Sequence, residues 1–329
     1  PHAFARIVRD KATLNIIYQI IEPPMTKKEE QYREEIMDIF IRSLTANIDE
    51  IDANPEAYLR TGMDKVIKSY GMKINKKSKS KIFYYLRRDL IGYGDMDVLM
   101  NDANVEDISC DGTNVPIFAY HRKFESVETT CVWKTDDELE SYVIKLAQRC
   151  GKHISVADPL LDATLMDGSR IVMKLGHEVS TRGSSFCIRR FKDDPFSPAD
   201  IIAFRTMSSL MVSYLWIAFQ NEVPMLFVGG TASGKTTTLN AMCIFIPWQM
   251  KIVSIESTRE VNIPQPNWVP GLTRQGFGGE STEGVIGEFE LLKAALRERP
   301  EYIIVGEIRG AEAYVLFQAM ATGHCAYST

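Results

Sequence analysis

One glycine-rich octet constrains the fold of this chain more than any other feature: residues 229–236 read Gly-Gly-Thr-Ala-Ser-Gly-Lys-Thr. The octet matches the pattern G-x-x-x-x-G-K-[ST] at every fixed position. Phosphate oxygens need several N–H donors that converge on one point, and glycines let the backbone wrap closely around them. An apolar segment, Met225–Val228, precedes the octet and helix-compatible residues follow it. A plain glycine-rich turn is the alternative, but this context favours a strand, a phosphate-binding loop and a helix in succession.

The loop and the residue just after it form the predicted nucleotide site. Lys235 is expected to bridge the β- and γ-phosphates of ATP, and the Thr236 hydroxyl to ligate a magnesium ion. The helix after the loop adds the positive end of its dipole. The predicted cofactors are therefore ATP and Mg²⁺. The predicted binding residues are Gly229, Gly230, Thr231, Ala232, Ser233, Gly234, Lys235, Thr236 and Thr237.

Hydrolysis requires carboxylates as well, because one must orient the attacking water and another must organise magnesium. Two apolar segments end in glutamates: Ile303–Val305 leads to Glu307, and Ile252–Ile255 leads to Glu256 and then Glu260. The carboxyl ends of parallel strands border the ligand crevice of an α/β sheet. A single glutamate is usually a solvated surface residue. Its position after an apolar strand nevertheless favours Glu307 as a catalytic and metal-binding residue, with Glu256 and Glu260 as further catalytic candidates.

Composition limits the class of protein. The chain has 329 residues, enough for two domains, and its 45% hydrophobic content is ordinary for a globular protein. The formal net charge of −5 gives no overall basic field, so nucleic acid is not an expected partner. The six cysteines include no C-x-x-C pair, which argues against a zinc site and fits a reducing cytoplasm. The most apolar stretch, Met207–Phe219, is too short for a spanning helix.

Two regions are predicted before the P-loop domain. Residues 1–100 have mostly helical patterns, for example over Glu29–Leu44, and the basic run Lys76–Lys81 is interpreted as a solvated face, with an anionic partner as the alternative. Residues 101–192 form a mixed α/β domain, with a helix that begins after the capping residue Thr135. Its predicted strands are 115–120, 170–175 and 185–188.

A polar, proline-containing linker is predicted at 193–200, with Ser197 as the cap of the next helix. From 201 to 329, strands alternate with helices, and a helix is predicted over about 199–219. This alternation predicts a parallel α/β sheet. The fold class is therefore α/β: a P-loop C-terminal domain, incomplete at its C-terminus, after a mixed α+β domain with a helical extension.

Several stretches resemble the type II/type IV secretion ATPase superfamily. They are Leu296–Gly310, with the run Gly306-Glu307-Ile308-Arg309, and Ala321–His324. Together with Ala119–Phe124, the first is most similar to the archaeal branch, which contains general-secretion E-type ATPases and the archaellum motor ATPase. The resemblance covers about residues 100–329. It implies a RecA-like C-terminal domain, a hexameric homo-oligomer and a membrane platform protein as partner.

The same resemblance implies roles for single residues. Glu307 corresponds to the Walker B glutamate, and Ile255–Glu260 to the aspartate box, whose final residue, Glu260, is taken as the water-activating group. His324 opens the histidine box and is a candidate γ-phosphate sensor. The resemblance also implies that arginines of the N-terminal domain can approach the γ-phosphate, although surface or interdomain salt bridges explain them equally well. The candidates are Arg170, Arg189 and Arg190.

Two departures from the family pattern concern catalysis. Ser257 stands where the aspartate box usually has Asp after its first glutamate. The sequence also stops at Thr329, inside the histidine box, and starts at Pro1 rather than Met, so a truncated chain with impaired hydrolysis is expected.

The predicted function is an oligomeric ATP hydrolase that powers protein secretion or the assembly of type IV pilus-like filaments. It would act in the cytoplasm, peripherally on the inner face of the cell membrane. The alternatives are a nucleotide-gated assembly scaffold with little turnover, favoured by Ser257, and a conjugation-type DNA-transport ATPase. A P-loop kinase is disfavoured because no lid-like arginine segment is present.

Overall fold

The computed structural model describes residues 3–11, 14–43, 54–191, 195–230, 233–274, 286–308 and 310–329. Two β-sheets organise these residues, one of eight strands and one of five. The chain divides into two units, Pro1–Leu161 with Ile171–Arg190, and Asp162–Arg170 with Phe191–Thr329. The boundary between the two units falls between Arg190 and Phe191, just before the linker predicted at 193–200. The first two residues of that linker are outside the described part of the chain.

The eight-stranded sheet has the order β1-β2-β5-β4-β3-β8-β7-β6. Its strands are β1 (Phe4–Arg9), β2 (Ile16–Ile21), β3 (Val105–Cys110), β4 (Pro116–His121), β5 (Glu125–Val132), β6 (Leu160–Thr164), β7 (Arg170–Lys174) and β8 (Ser185–Arg189). β3 pairs antiparallel with β4 and with β8, whereas β2 and β5 run parallel. The strands predicted at 115–120, 170–175 and 185–188 are thus confirmed, with ends shifted by one residue.

The prediction of a helical region over residues 1–100 missed β1 and β2. Ile16–Ile21 reads Ile-Ile-Tyr-Gln-Ile-Ile, a segment rich in the β-branched and aromatic residues that suit a pleated sheet. β2 pairs with β1 on one side and with β5 on the other. β1 and β2 therefore belong to the same sheet as the strands of the region predicted at 101–192. Their apolar residues complete that sheet and do not form part of a helical bundle.

Three helices of the first unit begin at side-chain caps, namely Asn54, Asn75 and Thr135. Asn54 accepts a hydrogen bond from the Ala57 N–H at 3.0 Å, and the Thr135 hydroxyl caps the helix predicted after it. The helices are α1 (Lys27–Ser43), α2 (Pro55–Ser69), α3 (Lys76–Leu90), α4 (Asp97–Met100) and α5 (Asp136–Arg149). A shared apolar core forms between α1, α2 and α3, through buried residues that include Ile36, Met63 and Leu86.

The basic run Lys76–Lys81 occupies the first half of α3. Lys79 pairs with Asp64 at 2.6 Å, and the Lys81 amine donates to the Pro24 carbonyl at 2.7 Å. Intramolecular partners thus account for these two lysines, whereas Lys76 lies exposed at the start of the helix.

The second unit is built on a five-stranded sheet with the order β11-β10-β12-β13-β9, and all four pairings are parallel. The strands are β9 (Met225–Leu226), β10 (Ile252–Glu256), β11 (Trp268–Leu272), β12 (Tyr302–Val305) and β13 (Cys325–Ser328). The helices are α6 (Pro198–Ala203), α7 (Ser209–Gln220), α8 (Lys235–Cys243), α9 (Glu288–Ala295) and α10 (Glu312–Ala321). The predicted α/β class is confirmed.

Helices cover both faces of this sheet, so its central strands are mostly apolar, with Ser254 and Glu256 as the polar residues of β10. Ile252 and Ile304 face one buried cluster, and Val253 and Ile303 face the other. Two-sided burial fixes the central strands β10 and β12 in register, and their carboxyl ends therefore form one stable edge at which functional side chains can be held.

The single helix predicted over 199–219 is instead two. Ser197 and Asp200 cap α6 reciprocally, as their spacing predicts. The chain then turns through Arg205, whose φ is 60°, and Ser208 caps α7 by accepting a hydrogen bond from the Met211 N–H at 3.3 Å. A second cap inside the predicted span starts a new helix, because a serine oxygen there satisfies backbone N–H groups. No helix among the described residues is long and apolar enough to cross a membrane.

Candidate nucleotide-binding site

The glycine-rich loop lies between β9 and α8, as the octet predicts. β9 pairs with β13, and the Phe227 N–H donates to the Ser328 carbonyl at 2.9 Å just before the loop. Gly234 ends the loop with φ at 85°, a left-handed conformation that glycine adopts without strain. α8 then begins at Lys235, so its N-terminus faces the loop. This arrangement offers backbone N–H groups and a positive helix end to an anion.

The described part of the loop is open to solvent. Gly229, Gly230 and Ser233 are exposed, and Lys235 is half-buried. The Lys235 amine donates to the Gly230 carbonyl at 2.9 Å, and the Ser233 hydroxyl donates to the same oxygen at 2.8 Å. Thr231 and Ala232, also predicted to bind, lie outside the described residues. The predicted lysine therefore lies over the loop, where a phosphate chain would bind.

Glu256 is the last residue of β10 and is almost fully buried, with 1% of its surface exposed. Its Oε1 accepts hydrogen bonds from the N–H groups of Glu260 and Val261, at 2.9 and 2.8 Å. Its Oε2 has no hydrogen-bond partner among the described residues. Burial raises the pKa of Glu256 to about 7, against the opposing effect of these two hydrogen bonds. Glu256 thus holds the start of the loop that carries Glu260.

Gly306 packs against Glu256 from the neighbouring strand. The Gly306 N–H donates to the Ile255 carbonyl at 2.9 Å, and a Cβ at position 306 would lie 3.1 Å from Glu256 Cγ. Glu307 follows at once and is exposed at the same edge. The segment Glu256–Val261 and the residues Gly306 and Glu307 are called the carboxylate corner below. The structure brings all three predicted glutamates to this one corner.

Asn240 connects the P-loop helix to the carboxylate corner. Its Nδ2 donates to the Glu260 carbonyl at 3.3 Å, and its Oδ1 accepts from the Asn262 N–H at 3.0 Å. Asn240 was not predicted from the sequence. A possible signal was an asparagine, a poor helix former, one turn after Thr236 on the same helix face. The helix that follows the phosphate loop is therefore joined to the segment that carries Glu260.

Thr329 is a second residue that the sequence analysis did not assign to the site. Its hydroxyl donates to the Gly306 carbonyl at 2.5 Å, and its carbonyl accepts from the Ile308 N–H at 3.1 Å. Both bonds fix the backbone on either side of Glu307. The end of β13 therefore supports the carboxylate corner.

The structure does not bring His324 to this edge. It stands just before β13, whereas the loop follows the carboxyl end of the parallel strand β9. Ser328 pairs with Leu226, so His324 lies roughly 13 Å further back along the strand direction. Its Nδ1 lies 3.3 Å from the Thr322 hydroxyl. This placement does not support the predicted γ-phosphate contact within the same chain.

Each of the three candidate arginines has partners within its own unit. Arg170 contacts Asp162 at 3.1 Å, and Arg189 contacts Asp107 at 3.3 Å. Arg190 donates to the Val105 carbonyl at 3.2 Å. The contacts of Arg170 and Arg189 are salt bridges, as the alternative has it, whereas Arg190 bonds to a backbone carbonyl. A role of these arginines at the γ-phosphate stays a prediction.

A parallel sheet with a glycine-rich loop between an edge strand and a helix defines a P-loop protein. A model of the family described as "Type II/IV secretion system protein" matches residues 124–329, more than half of the chain. The chain therefore belongs to the type II/IV secretion system protein family, and the resemblance noted from its sequence is confirmed.

Relatives include proteins of archaea and bacteria. The protein MJ0900 of Methanocaldococcus jannaschii is 43% identical over 258 residues, which are 78% of this chain and 46% of that protein. The type IV secretion system protein PtlH of Bordetella pertussis is 31% identical over 211 residues, 58% of this chain and 62% of PtlH. A crystal structure of the Yersinia pseudotuberculosis ATPase DotB has 16% identity, covers 78% of this chain and 66% of DotB, and has a TM-score of 0.48. The chain spans less than half the length of MJ0900. A relative from an archaeon agrees with the archaeal branch of the superfamily, to which the sequence motifs are most similar.

Proposed function

We propose that this chain is the nucleotide-hydrolysing part of an oligomeric, hexameric motor that powers protein secretion or the assembly of type IV pilus-like filaments. The observation that carries the proposal is the junction at Asn240, which ties the helix after the phosphate loop to the segment with Glu260. Binding and hydrolysis need these two parts in a fixed relation. Family membership supports a secretion-system role, with a membrane platform protein as partner and the cytoplasmic face of the membrane as location.

The reaction proposed is in-line attack of water on the γ-phosphate of ATP. Backbone N–H groups of the loop hold the phosphates, and the Lys235 amine moves from the Gly230 carbonyl to the β- and γ-oxygens. Glu260, exposed at the end of its anchored segment, orients the water and accepts its proton. Glu256 keeps Glu260 in place rather than touching the substrate.

Thr236 and Glu307 would hold Mg²⁺, which when bound neutralises charge on the phosphates. The donors fit, because a hydroxyl and a carboxylate are the hard oxygen ligands that Mg²⁺ prefers together with phosphate oxygens and water. Thr236 lies in the first turn of α8 and Glu307 follows β12 at the carboxyl edge of the same sheet.

The test compares Lys235→Ala with Lys293→Ala, an exposed lysine of α9 in the same unit. Lys235→Ala is expected to abolish ATP binding and phosphate release, because no other side chain of the loop supplies a cation. Lys293→Ala is expected to behave as the parent. Equal turnover in the parent and in Lys235→Ala would refute the site.

Ser257 favours a second function, a nucleotide-gated scaffold. It is exposed in the carboxylate corner at the position where the family pattern has Asp. A scaffold would bind ATP tightly and oligomerise without releasing phosphate at any protein concentration. Phosphate release that depends on Lys235 would exclude this reading.

A further inference from the structure

Arg259 immediately precedes Glu260, and two aromatic rings hold its side chain. Its guanidinium carbon lies 5.5 Å from the ring centre of Phe191 and 5.5 Å from that of Trp268. Both distances are within the range of cation–π attraction. The Arg259 Nε is buried without a hydrogen-bond partner in the part of the chain that the structure describes. The side chain is therefore held by its two aromatic contacts rather than by a hydrogen bond at Nε.

The two rings are fixed independently of Arg259. The Trp268 indole N–H donates to the Ser254 hydroxyl at 2.9 Å, which ties the ring to β10. The Phe191 N–H donates to the Ser169 hydroxyl at 3.0 Å, and a Cβ at Gly168 would lie 3.1 Å from its ring. Phe191 is also the first residue of the second unit after Arg190. Arg259 thus joins the carboxylate corner to the place where the chain enters this unit.

Arg259 also acts electrostatically on its own segment. Its positive charge lowers the pKa of Glu256, against the larger effect of burial. The Glu256 carboxylate in turn accepts a hydrogen bond from the Glu260 N–H. Arg259 is therefore connected to Glu260 both through the backbone and through Glu256.

We propose that Arg259 is a positioning residue for hydrolysis: clamped between Phe191 and Trp268, it sets the orientation of the segment that presents Glu260 to water. This inference rests on the proposed function. The clamp acts on turnover and not on ATP affinity, because the P-loop binds the phosphates through separate groups.

The experiment uses the full chain with Arg259→Ala, Arg259→Lys and Phe191→Leu. Arg297→Ala, an exposed arginine of the same unit, is the matched control. Arg259→Ala is expected to leave the Kd for ATP unchanged and to lower kcat roughly 5- to 30-fold, since losing cation–π contacts on this scale changes a rate by that factor. Arg259→Lys, which keeps the cation, should recover part of the loss. The double variant Phe191→Leu/Arg259→Ala should have the same kcat as Arg259→Ala alone, because the contact between the two side chains is already lost.

Hydrogen exchange at the Glu260 and Val261 amides tests the clamp without using turnover. Exchange is expected to be faster in Arg259→Ala and unchanged in Arg297→Ala, because those amides are bonded to Glu256. Parental exchange in Arg259→Ala would overturn the inference even if the parent hydrolyses no ATP. A parental kcat in Arg259→Ala, or a fall in affinity equal to the fall in kcat, would also overturn it. Lys235→Ala, measured alongside, reports separately on the proposed function.

Discussion

The P-loop and the carboxylate corner lie at the same sheet edge but are built in opposite ways. Gly229, Gly230 and Ser233 of the loop are exposed, and a Cβ at Gly230 would meet no atom of the described residues within 4 Å. In the corner, Glu256 is 1% exposed and a Cβ at Gly306 would press against it. The loop must leave its N–H groups free for phosphate, whereas the corner must hold a carboxylate in one orientation. Substitutions in the loop should therefore affect binding, and substitutions in the corner should affect stability and turnover.

The largest expected effect separates binding from chemistry. Glu260→Gln should lower kcat roughly 100- to 10,000-fold, because the general base is lost, while the Kd for ATP is unchanged. Single-turnover kinetics and a fluorescent-nucleotide titration measure the two quantities. An unchanged kcat would remove Glu260 from the catalytic role and leave Glu307 as the remaining candidate.

Glu256→Gln tests how the buried carboxylate of the carboxylate corner affects stability. The folded-state pKa of Glu256 is about 7, raised from 4.5 mainly by burial. The folded chain then binds more protons than the unfolded chain, so the free energy of unfolding contributed by Glu256 falls as pH rises from about 4.5 through about 7. By pH 8 the loss should be roughly 2–4 kcal/mol. Glu256→Gln keeps a neutral acceptor for both N–H groups and should remove this loss.

Urea unfolding of the parent and of Glu256→Gln at pH 5 and pH 8 provides the measurement. The free energy of unfolding of Glu256→Gln, relative to that of the parent, should be higher at pH 8 than at pH 5. The same pH dependence in both proteins would mean that burial does not disfavour the charged carboxylate.

Gly306→Ala and Gly230→Ala contrast the packed region with the open one. The new methyl group at 306 would lie 3.1 Å from Glu256 Cγ, and overpacking of this kind costs roughly 1–3 kcal/mol. At 230 it meets no atom of the residues that the structure describes within 4 Å, so the free energy of unfolding should change by less than about 0.5 kcal/mol. Equal losses of stability in urea would break the comparison.

A smaller loss than that of Gly306→Ala is expected at the junction between the two regions. Asn240→Ala removes hydrogen bonds to Glu260 and Asn262 and should cost about 1 kcal/mol. The P-loop is untouched, so the affinity for ATP should stay near the parental value while kcat falls. A loss of affinity without a loss of kcat would show that Asn240 serves the loop alone.

Local patterns predicted the second unit better than the first. The apolar strands and the helices between them gave the α/β class, because a parallel sheet covered on both faces has continuous apolar segments. The strands β1 and β2 were missed, since a helical prediction for residues 1–100 overlooked the β-branched segment Ile16–Ile21. His324 was predicted at the site from a family motif, but the strand direction places it away from the loop.

The sequence by itself predicted a glycine-rich loop between a strand and a helix, since the pattern G-x-x-x-x-G-K-[ST] is local, and the structure has β9 and α8 on either side of it. It also predicted that Glu256, Glu260 and Glu307 lie at one edge of the sheet, because each stands at or after the end of an apolar strand, and their catalytic roles stay predictions. Tertiary structure alone decided that Asn240 meets Glu260, that Glu256 lies against Gly306, and that Phe191 clamps Arg259. These pairs depend on the strand order and on where the chain enters the second unit. Nothing in the local periodicity of a segment encodes which distant segment will pack beside it.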